Sequence, residues 1–299
     1  MSNKISVGVI GAGKWGQALH FALSQKQEVY ITSRTPKDIK NFTNLETVLN
    51  CEYLIIAIPV QEIRAWLEKN FVFKNQKILV ASKGIEASSG KFLNEIYAEF
   101  VPEDNIGFIS GPSFAVEVMQ SLPAAIVLNS KSKKFYDEFK VFFPSFLKTY
   151  YSEDVIGAEV AGAYKNVLAI ASGICEGLKL GNNAKASLIS RGLVEMERFG
   201  EYFGSQKDTF IGLSGAGDLF LTASSTMSRN FRVGIGLAQN KSLEQILEEL
   251  GEVAEGVKTS EAIHQLSQMH NIYTPIANEV KLVLEGKDPK HSLQDLLKT

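Results

Sequence analysis

Along the first half of the chain, short apolar, β-branched runs alternate with stretches whose apolar positions recur every three or four residues. The pairs are Ile5–Ile10 with Trp15–Leu23, Val29–Thr32 with Leu45–Leu49, Leu54–Ile58 with Ile63–Leu67, and Ile78–Ala81 with Phe92–Phe100. Such alternation predicts βαβ units, and so a parallel sheet with helices on both faces. Three more strands are predicted at Ile106–Ser110, Ala124–Leu128 and Thr149–Ser152, with helices around Phe114–Gln120 and Phe135–Phe143. From about Glu153 the pattern changes. Ala158–Gly181 and Ala184–Tyr202 are long, helical in period and rich in small residues, and no strand pattern follows. The expectation is two domains, an α/β domain over residues 1–152 and an all-helical domain over residues 153–299.

Composition narrows the classes. A length of 299 residues suits two domains. With 31 Lys plus Arg against 33 Asp plus Glu, the net charge is -2, so no bulk positive charge draws in nucleic acid or anionic lipid. The longest apolar run, Tyr53 to Val60, contains Pro59 and falls far short of the roughly 18 residues of a membrane span. The chain enters a strand pattern almost at once, which leaves no room for a secretory leader, so a cytoplasmic protein is expected. Cys51 and Cys175 lie in apolar stretches and fit neither a disulfide framework nor a zinc spacing. Inert buried thiols and no metal site are expected.

Gly11-Ala12-Gly13-Lys14-Trp15-Gly16 follows one predicted strand and opens a predicted helix. In that context Gly11 allows the tight turn, Gly13 lets the backbone approach a pyrophosphate, and Gly16 lets helix and strand pack closely. The first domain therefore reads as a Rossmann-type dinucleotide-binding domain, although glycines also simply punctuate such turns. At the end of the second strand, where a NAD-preferring fold places Asp or Glu, this chain has Thr32-Ser33-Arg34. Ser33 and Arg34 suit a 2′-phosphate, so NADP is expected in preference to NAD. The plain alternative for Arg34 is a solvated loop residue.

Several segments, in order and spacing, resemble the bacterial NAD(P)-dependent glycerol-3-phosphate dehydrogenases. They are Gly11 to Leu19, Ser82-Lys83-Gly84-Ile85-Glu86, Ser110-Gly111-Pro112-Ser113-Phe114-Ala115, Ala163-Tyr164-Lys165-Asn166-Val167, Gly212 to Leu219, Ser228-Arg229-Asn230 and Glu252 to Gly256. The likeness runs on through Thr274-Pro275-Ile276 and Lys287-Asp288-Pro289. It implies reversible reduction of dihydroxyacetone phosphate to sn-glycerol 3-phosphate, the backbone precursor of glycerophospholipids. One departure is Lys14, where the family often has a small polar residue; it is either a phosphate contact or plain surface.

Reducing a ketone requires a proton for the carbonyl oxygen, hence a general acid within hydrogen-bond reach. Lys165 is the candidate. Its helical neighbours are Gly162, Ala161, Leu168 and Ala169, so its stem lies among small apolar groups. The resemblance gives it the proton-donating role, whereas pattern alone would make it a solvated charge. The resemblance also has Asp218 bind substrate and pair with Lys165, while the bland reading of Asp218 is a helix N-cap. Burial and that carboxylate act on the lysine in opposite senses. Thr222, one helical turn after Asp218, faces the same way and is a candidate to bind a hydroxyl or phosphate of the substrate. Lys83, just after a predicted strand, stands at the sheet end where ligands of open α/β sheets bind, and is assigned to substrate and cofactor, against the plain alternative of a surface lysine at a strand end.

By the same resemblance Gly111 and Ser113 contact substrate and Ala115 the cofactor, against the simpler option of a helix start capped by Ser113. A phosphate dianion suits a forked guanidinium with nearby donors, which Ser228, Arg229 and Asn230 provide. Arg229 is expected to touch cofactor as well, with Val253 and Glu255 lining it; each of these could instead be ordinary polar surface. Gly11, Gly13, Lys14, Trp15, Gly16, Ser33 and Arg34 complete the cofactor set. The expected partner is a small-molecule substrate, with no nucleic acid or integral membrane contact and a homodimer as candidate assembly. The alternatives are another two-domain β-hydroxyacid dehydrogenase and a non-catalytic NADPH-sensing module. The adjacent Lys165-Asn166 pair disfavours the first, because a 6-phosphogluconate type would carry Lys-x-x-Asn and a hydroxyacyl-coenzyme A type a His–Glu pair. Retention of Lys165 and Asp218 disfavours the second.

Overall fold

A computed structural model describes residues 6–251 and 253–298. Ile5 of the first predicted strand and Glu252 of the Glu252-to-Gly256 segment lie outside the described residues. The chain forms two compact units: one takes residues up to Lys83 together with Leu93–Val155, the other Gly84–Phe92 and everything from Ile156 onward.

The first unit is a seven-stranded sheet in the order β2-β1-β3-β4-β5-β6-β7. Its elements are β1 (Val7–Ile10), α1 (Lys14–Leu23), β2 (Val29–Thr32), α2 (Leu45–Leu49), β3 (Tyr53–Ile56), α3 (Val60–Asn70), β4 (Lys77–Val80), α4 (Leu93–Tyr97), β5 (Ile106–Ser110), α5 (Ala115–Met119), β6 (Ala124–Asn129), α6 (Lys133–Phe139) and β7 (Leu147–Ser152). Strands β1 and β3 are buried along their whole length, as expected of a sheet covered on both faces. Alternate residues divide between two cores. Val9, Ile55 and Leu79 pack on one face with Leu19, Leu23 and Phe135, while Ile10, Ile56 and Val80 pack on the other with Ile63, Leu67 and Tyr97.

The predicted elements are present with ends shifted by up to a few residues, and the Rossmann-type reading holds. The parallel reading holds for β1 to β5, whereas β5 and β6 pair antiparallel. Strands β6 and β7 then run parallel to each other. Asn129 seals the seam, its Nδ2 donating to Phe108 O at 2.9 Å and to Ser110 Oγ at 2.8 Å.

The second unit is helical, with no strand among the described residues after β7. It consists of α7 (Val155–Gly177), α8 (Gly181–Tyr202), α9 (Lys207–Ile211), α10 (Asp218–Ala223), α11 (Arg229–Ala238), α12 (Leu243–Leu250), α13 (Glu255–His270), α14 (Pro275–Leu284) and α15 (Pro289–Leu296). Every residue of α7 from Gly157 to Gly173 is buried, which makes it the central helix of the unit. Its small residues let neighbouring helices approach on all sides. The excursion Gly84–Phe92 joins this unit through Ile85 and Phe92, which enter the helical core, Phe92 meeting Phe203 edge-on at 5.1 Å.

Candidate active site

The sheet unit offers a site made of backbone. Gly11 turns away from β1 with φ +104°, and its N–H donates to Thr32 O at 2.9 Å. A Cβ on Gly11 would overlap the carbonyl of Ala57, and one on Gly16 would overlap the carbonyl oxygen of Gly11. Only glycine permits this approach of α1 to the strands. Gly13 differs, since a Cβ there meets no protein atom within 4 Å. It is the N-cap of α1, no side chain caps the helix, and the first turn has no acidic residue. The first-turn N–H groups and the positive end of a ten-residue helix thus point where an anion can sit, and the cradle fits a pyrophosphate.

The remaining sheet-unit candidates are placed as follows. Lys14 is exposed and Trp15 half-buried against the sheet core. At the end of β2 the Ser33 hydroxyl donates to Thr35 O at 2.7 Å, so its proton shapes the turn. The Arg34 side chain is 90% exposed, with Glu62 at 4.0 Å. Lys83 is half-buried beside Gly84, whose φ is +129°. Gly111 turns with φ +98°, and Ser113 Oγ donates to Gly111 O at 3.2 Å. Ser113 is not the cap of α5. That place belongs to Phe114, which makes no side-chain cap bond, and Ala115 is the first helical residue.

The helical unit offers a site made of side chains. Lys165, 8% exposed on α7, donates from Nζ to Asp218 Oδ1 at 2.6 Å and to Thr222 Oγ1 at 3.1 Å. Thr222 in turn donates to Asp218 O at 2.7 Å. Asp218 and Thr222 stand one turn apart on α10, and Asp218 is 2% exposed. A buried charge persists only when paired and hydrogen-bonded, and this pair is both. The N-cap option for Asp218 does not hold. The residue is the first of α10, in helical conformation, and the preceding Leu213–Gly217 is a π-helical turn. That turn requires Gly215, where a Cβ would overlap the backbone of Phe210. Ser172 on α7 donates to Ala223 O at 2.7 Å and pins the far end of α10.

Ser228 caps α11, its Oγ accepting from Phe231 N at 3.3 Å. Arg229 is the first residue of that helix and half-buried, and no acidic residue follows in the first turn. Guanidinium and helix start together suit a phosphate. Asn230, 7% exposed, donates from Nδ2 to Asn166 Oδ1 at 2.9 Å and accepts from Gly256 N at 3.0 Å, so much of its amide serves the fold. Val253 is 63% exposed and Glu255, half-buried, begins α13. Sequence reasoning left out the π-helical turn, Ser172 and the bonds joining Asn166, Asn230 and Gly256; only the glycine spacing at Gly212, Gly215 and Gly217 hinted at the first. Cys51 and Cys175 are buried, and burial pushes both thiols up, as inert cysteines require.

Family models described as NAD-dependent glycerol-3-phosphate dehydrogenase N-terminus and C-terminus match residues 28–136 and 154–294. A glycerol-3-phosphate dehydrogenase (NAD(P)+) from Sulfurimonas denitrificans is 66% identical over 291 residues, 97% of this chain and 98% of its own length. Its counterpart from Nitratiruptor is 58% identical over 293 residues, 98% of each chain. The crystal structure of glycerol-3-phosphate dehydrogenase from Coxiella burnetii matches with a TM-score of 0.91 at 32% identity, covering 99% of both chains.

Proposed function

The chain belongs to the NAD-dependent glycerol-3-phosphate dehydrogenases, and on that premise we propose how its residues divide the work. It is an oxidoreductase that uses NAD(P) and catalyses the reversible reduction of dihydroxyacetone phosphate to sn-glycerol 3-phosphate, the glycerophospholipid precursor. Membership sets aside the β-hydroxyacid dehydrogenases and the non-catalytic sensor.

The buried Lys165–Asp218–Thr222 cluster carries the assignment of roles. Lys165 Nζ delivers a proton to the carbonyl oxygen and, in the oxidation direction, takes it back from the alcohol. Asp218 holds the ammonium in place. Thr222 spends its own proton on the Asp218 carbonyl, so its lone pair faces Nζ and two fixed oxygens aim the lysine. Arg229 and the start of α11 grip the phosphate, with Ser228 shaping that start and Asn230 contributing beside it. Lys83 polarises the substrate, and Gly111 and Ser113 form the turn next to it.

The dinucleotide, when bound, supplies the reducing equivalent. Gly11, Gly13, Lys14, Trp15 and Gly16 hold its pyrophosphate, and Ser33 and Arg34 its ribose 2′ side. Lys83, Ala115, Arg229, Val253 and Glu255 complete its surroundings. The lack of a carboxylate in Thr32-Ser33-Arg34 supports NADP over NAD. A cytoplasmic location and a homodimer belong to the same proposal; among the described residues no helix is long and apolar enough to cross a membrane.

The test is to mix the purified protein with NADPH and dihydroxyacetone phosphate and follow the nicotinamide absorbance; no oxidation beyond the blank overturns the reading. Arg229→Ala then separates phosphate recognition from proton transfer. Losing a half-buried charged partner costs about 2 to 3 kcal/mol, so kcat/KM for the phosphorylated substrate should fall roughly 30- to 150-fold while unphosphorylated dihydroxyacetone changes little. An equal fall for both substrates would move the phosphate grip elsewhere.

A further inference from the structure

The hydrogen bonds of Asn166 and Asn230 run one way. Gly256 N–H donates to Asn230 Oδ1 at 3.0 Å, Asn230 Nδ2 donates to Asn166 Oδ1 at 2.9 Å, and Asn166 Nδ2 donates to Gly162 O at 3.3 Å. Both ends are backbone groups. An N–H can only donate and a carbonyl can only accept, so neither amide can flip without breaking the chain. Asn166 is 5% and Asn230 7% exposed, so a lost partner is not replaced by water without cost. The relay links α7, one residue from Lys165, to the first turn of α11, one residue from Arg229, and to the first turn of α13.

A second contact joins α7 and α11. A Cβ on Gly173 would overlap the carbonyl oxygen of Phe231, and one on Gly234 that of Ile170, so the two backbones touch. Gly173 lies about 10 Å along α7 from Asn166, taking 1.5 Å per residue. That contact fixes α11 against α7 at Ile170 and Gly173, and the relay adds a hydrogen-bonded hold between Asn166, next to Lys165, and Asn230, in the same first turn of α11 as Arg229. We propose that Asn166 is a positioning residue, which through the Gly256–Asn230–Asn166 relay keeps the proton-donating lysine in register with the phosphate-gripping start of α11. The proposal rests on the roles given above to Lys165 and Arg229. Through it, energy gained at the phosphate is used to place the carbonyl oxygen against Nζ.

The relay's direction sets a distinctive order of variants. Asn166→Ala leaves Asn230 Nδ2 without its acceptor. Asn166→Asp keeps that acceptor but turns a carboxylate oxygen onto Gly162 O. Asn166→Ser restores both functions in shortened form, because a helical hydroxyl donates to the carbonyl four residues back while still accepting. The expected result for Asn166→Ala is a fall in kcat of about 10- to 100-fold, the usual effect of slight misplacement. NADPH affinity should change much less than kcat, because only Arg229, Val253 and Glu255 of the residues assigned to the cofactor lie in the helical unit. The ratio of kcat/KM for dihydroxyacetone phosphate over dihydroxyacetone should fall in step with kcat, Asn166→Ser should recover part of it, and Asn166→Asp should do no better than alanine. Gly256→Ala, whose Cβ would meet Asn230 Oδ1 at 2.8 Å, should give the same signature from the other end.

Variants that lose melting temperature but keep both kcat per folded molecule and the substrate ratio would overturn the proposal, since they make the relay merely structural. Lys165→Met is measured alongside. If it keeps wild-type kcat, the proton-donor assignment fails and the relay's role fails with it. If it loses turnover while Asn166→Ala does not, the relay alone is overturned.

Discussion

The glycine loop of the sheet unit and the lysine cluster of the helical unit are built from different parts of the chain. At Gly11, Gly13 and Gly16 the residues matter for what they lack: two leave room for backbone and the third leaves room for a ligand. At Lys165, Asp218 and Thr222 they matter for what they carry, and the lysine meets a carboxylate 53 positions away. A site made of backbone must be contiguous, because neighbouring N–H groups converge only within one turn. A site made of side chains can be gathered from distant helices, and its members need share no local pattern. The first kind is readable as a motif, the second through packing or resemblance.

The comparison breaks most visibly at Lys165. Replacement by Met removes the proposed proton donor and should cut kcat by about 10² to 10⁴-fold, while the proposed cofactor loop, made of backbone elsewhere, should keep its NADPH affinity. Steady-state kinetics beside a fluorescence titration of NADPH checks this; loss confined to KM would make Lys165 a binding group.

Within the loop, Gly13→Ala should separate folding from binding. A Cβ there meets no protein atom and the backbone, at φ −69° and ψ 177°, suits alanine. Melting should therefore be unchanged or raised, by up to about 1 kcal/mol, through the unfolded chain's lost freedom. The methyl intrudes on the cofactor instead, and overpacking of about 1 to 3 kcal/mol raises the Kd for NADPH roughly 5- to 150-fold. Gly16→Ala should do the reverse and lower the melting temperature first. If Gly13→Ala binds NADPH as tightly as wild type, the loop is ordinary strand-to-helix punctuation.

In the backbone-built half, Arg34 is the side chain proposed to meet the ribose 2′ side of the cofactor. A charge-assisted hydrogen bond contributes about 1.5 to 3 kcal/mol, but with 90% of the side chain exposed the lower end applies, so Arg34→Ala should raise the KM for NADPH about 10-fold. NADH, without the 2′-phosphate, should respond little. Equal effects on both cofactors would reject the role.

What was legible follows the same division. The βαβ alternation, the glycine turn after β1 and the passage to long helices were plain, because each is a local period or a contiguous motif. The reversal at β6 was hidden, since an apolar run does not mark the direction in which its strand enters the sheet. Gly84–Phe92 looks like one more loop of the sheet domain, and only the burial of Ile85 and Phe92 assigns it to the helical core. Lys165 lies in a run of small residues that already reads as a buried helix, but its partner could not be found from periodicity. Asp218 resembled a cap because the π-helical turn before it imitates a glycine-rich loop.

The smallest expected effect concerns pH, where the two units should move in opposite directions. His20, 6% exposed on α1, is held below its ordinary value of 6.5, first by burial and then by Lys40, against the pull of its bond to Val29 O. The fold favours its neutral form, so its contribution is complete above 6.5 and is lost as pH falls through the lowered value. Glu195 on α8 is pushed above 4.5 by burial, against the opposing bonds from Ala277 N, Ile276 N and Tyr164 Oη. The fold favours its protonated form, so its contribution is complete below 4.5 and is lost as pH rises through the raised value. Acidifying towards about pH 5 should weaken the sheet unit through His20 and strengthen the helical unit through Glu195, each by less than about 1.4 kcal/mol per pH unit. Other groups titrate in the same window, so the informative quantity is a difference between proteins. Both tryptophans, Trp15 and Trp66, belong to the sheet unit, which makes their fluorescence its reporter, while far-ultraviolet circular dichroism is weighted towards the helices of the other. Denaturant unfolding at several pH values should show the stability of wild type minus His20→Gln rising with pH, and that of wild type minus Glu195→Gln falling. Slopes of the same sign would mean that burial does not govern these two groups as the structure implies.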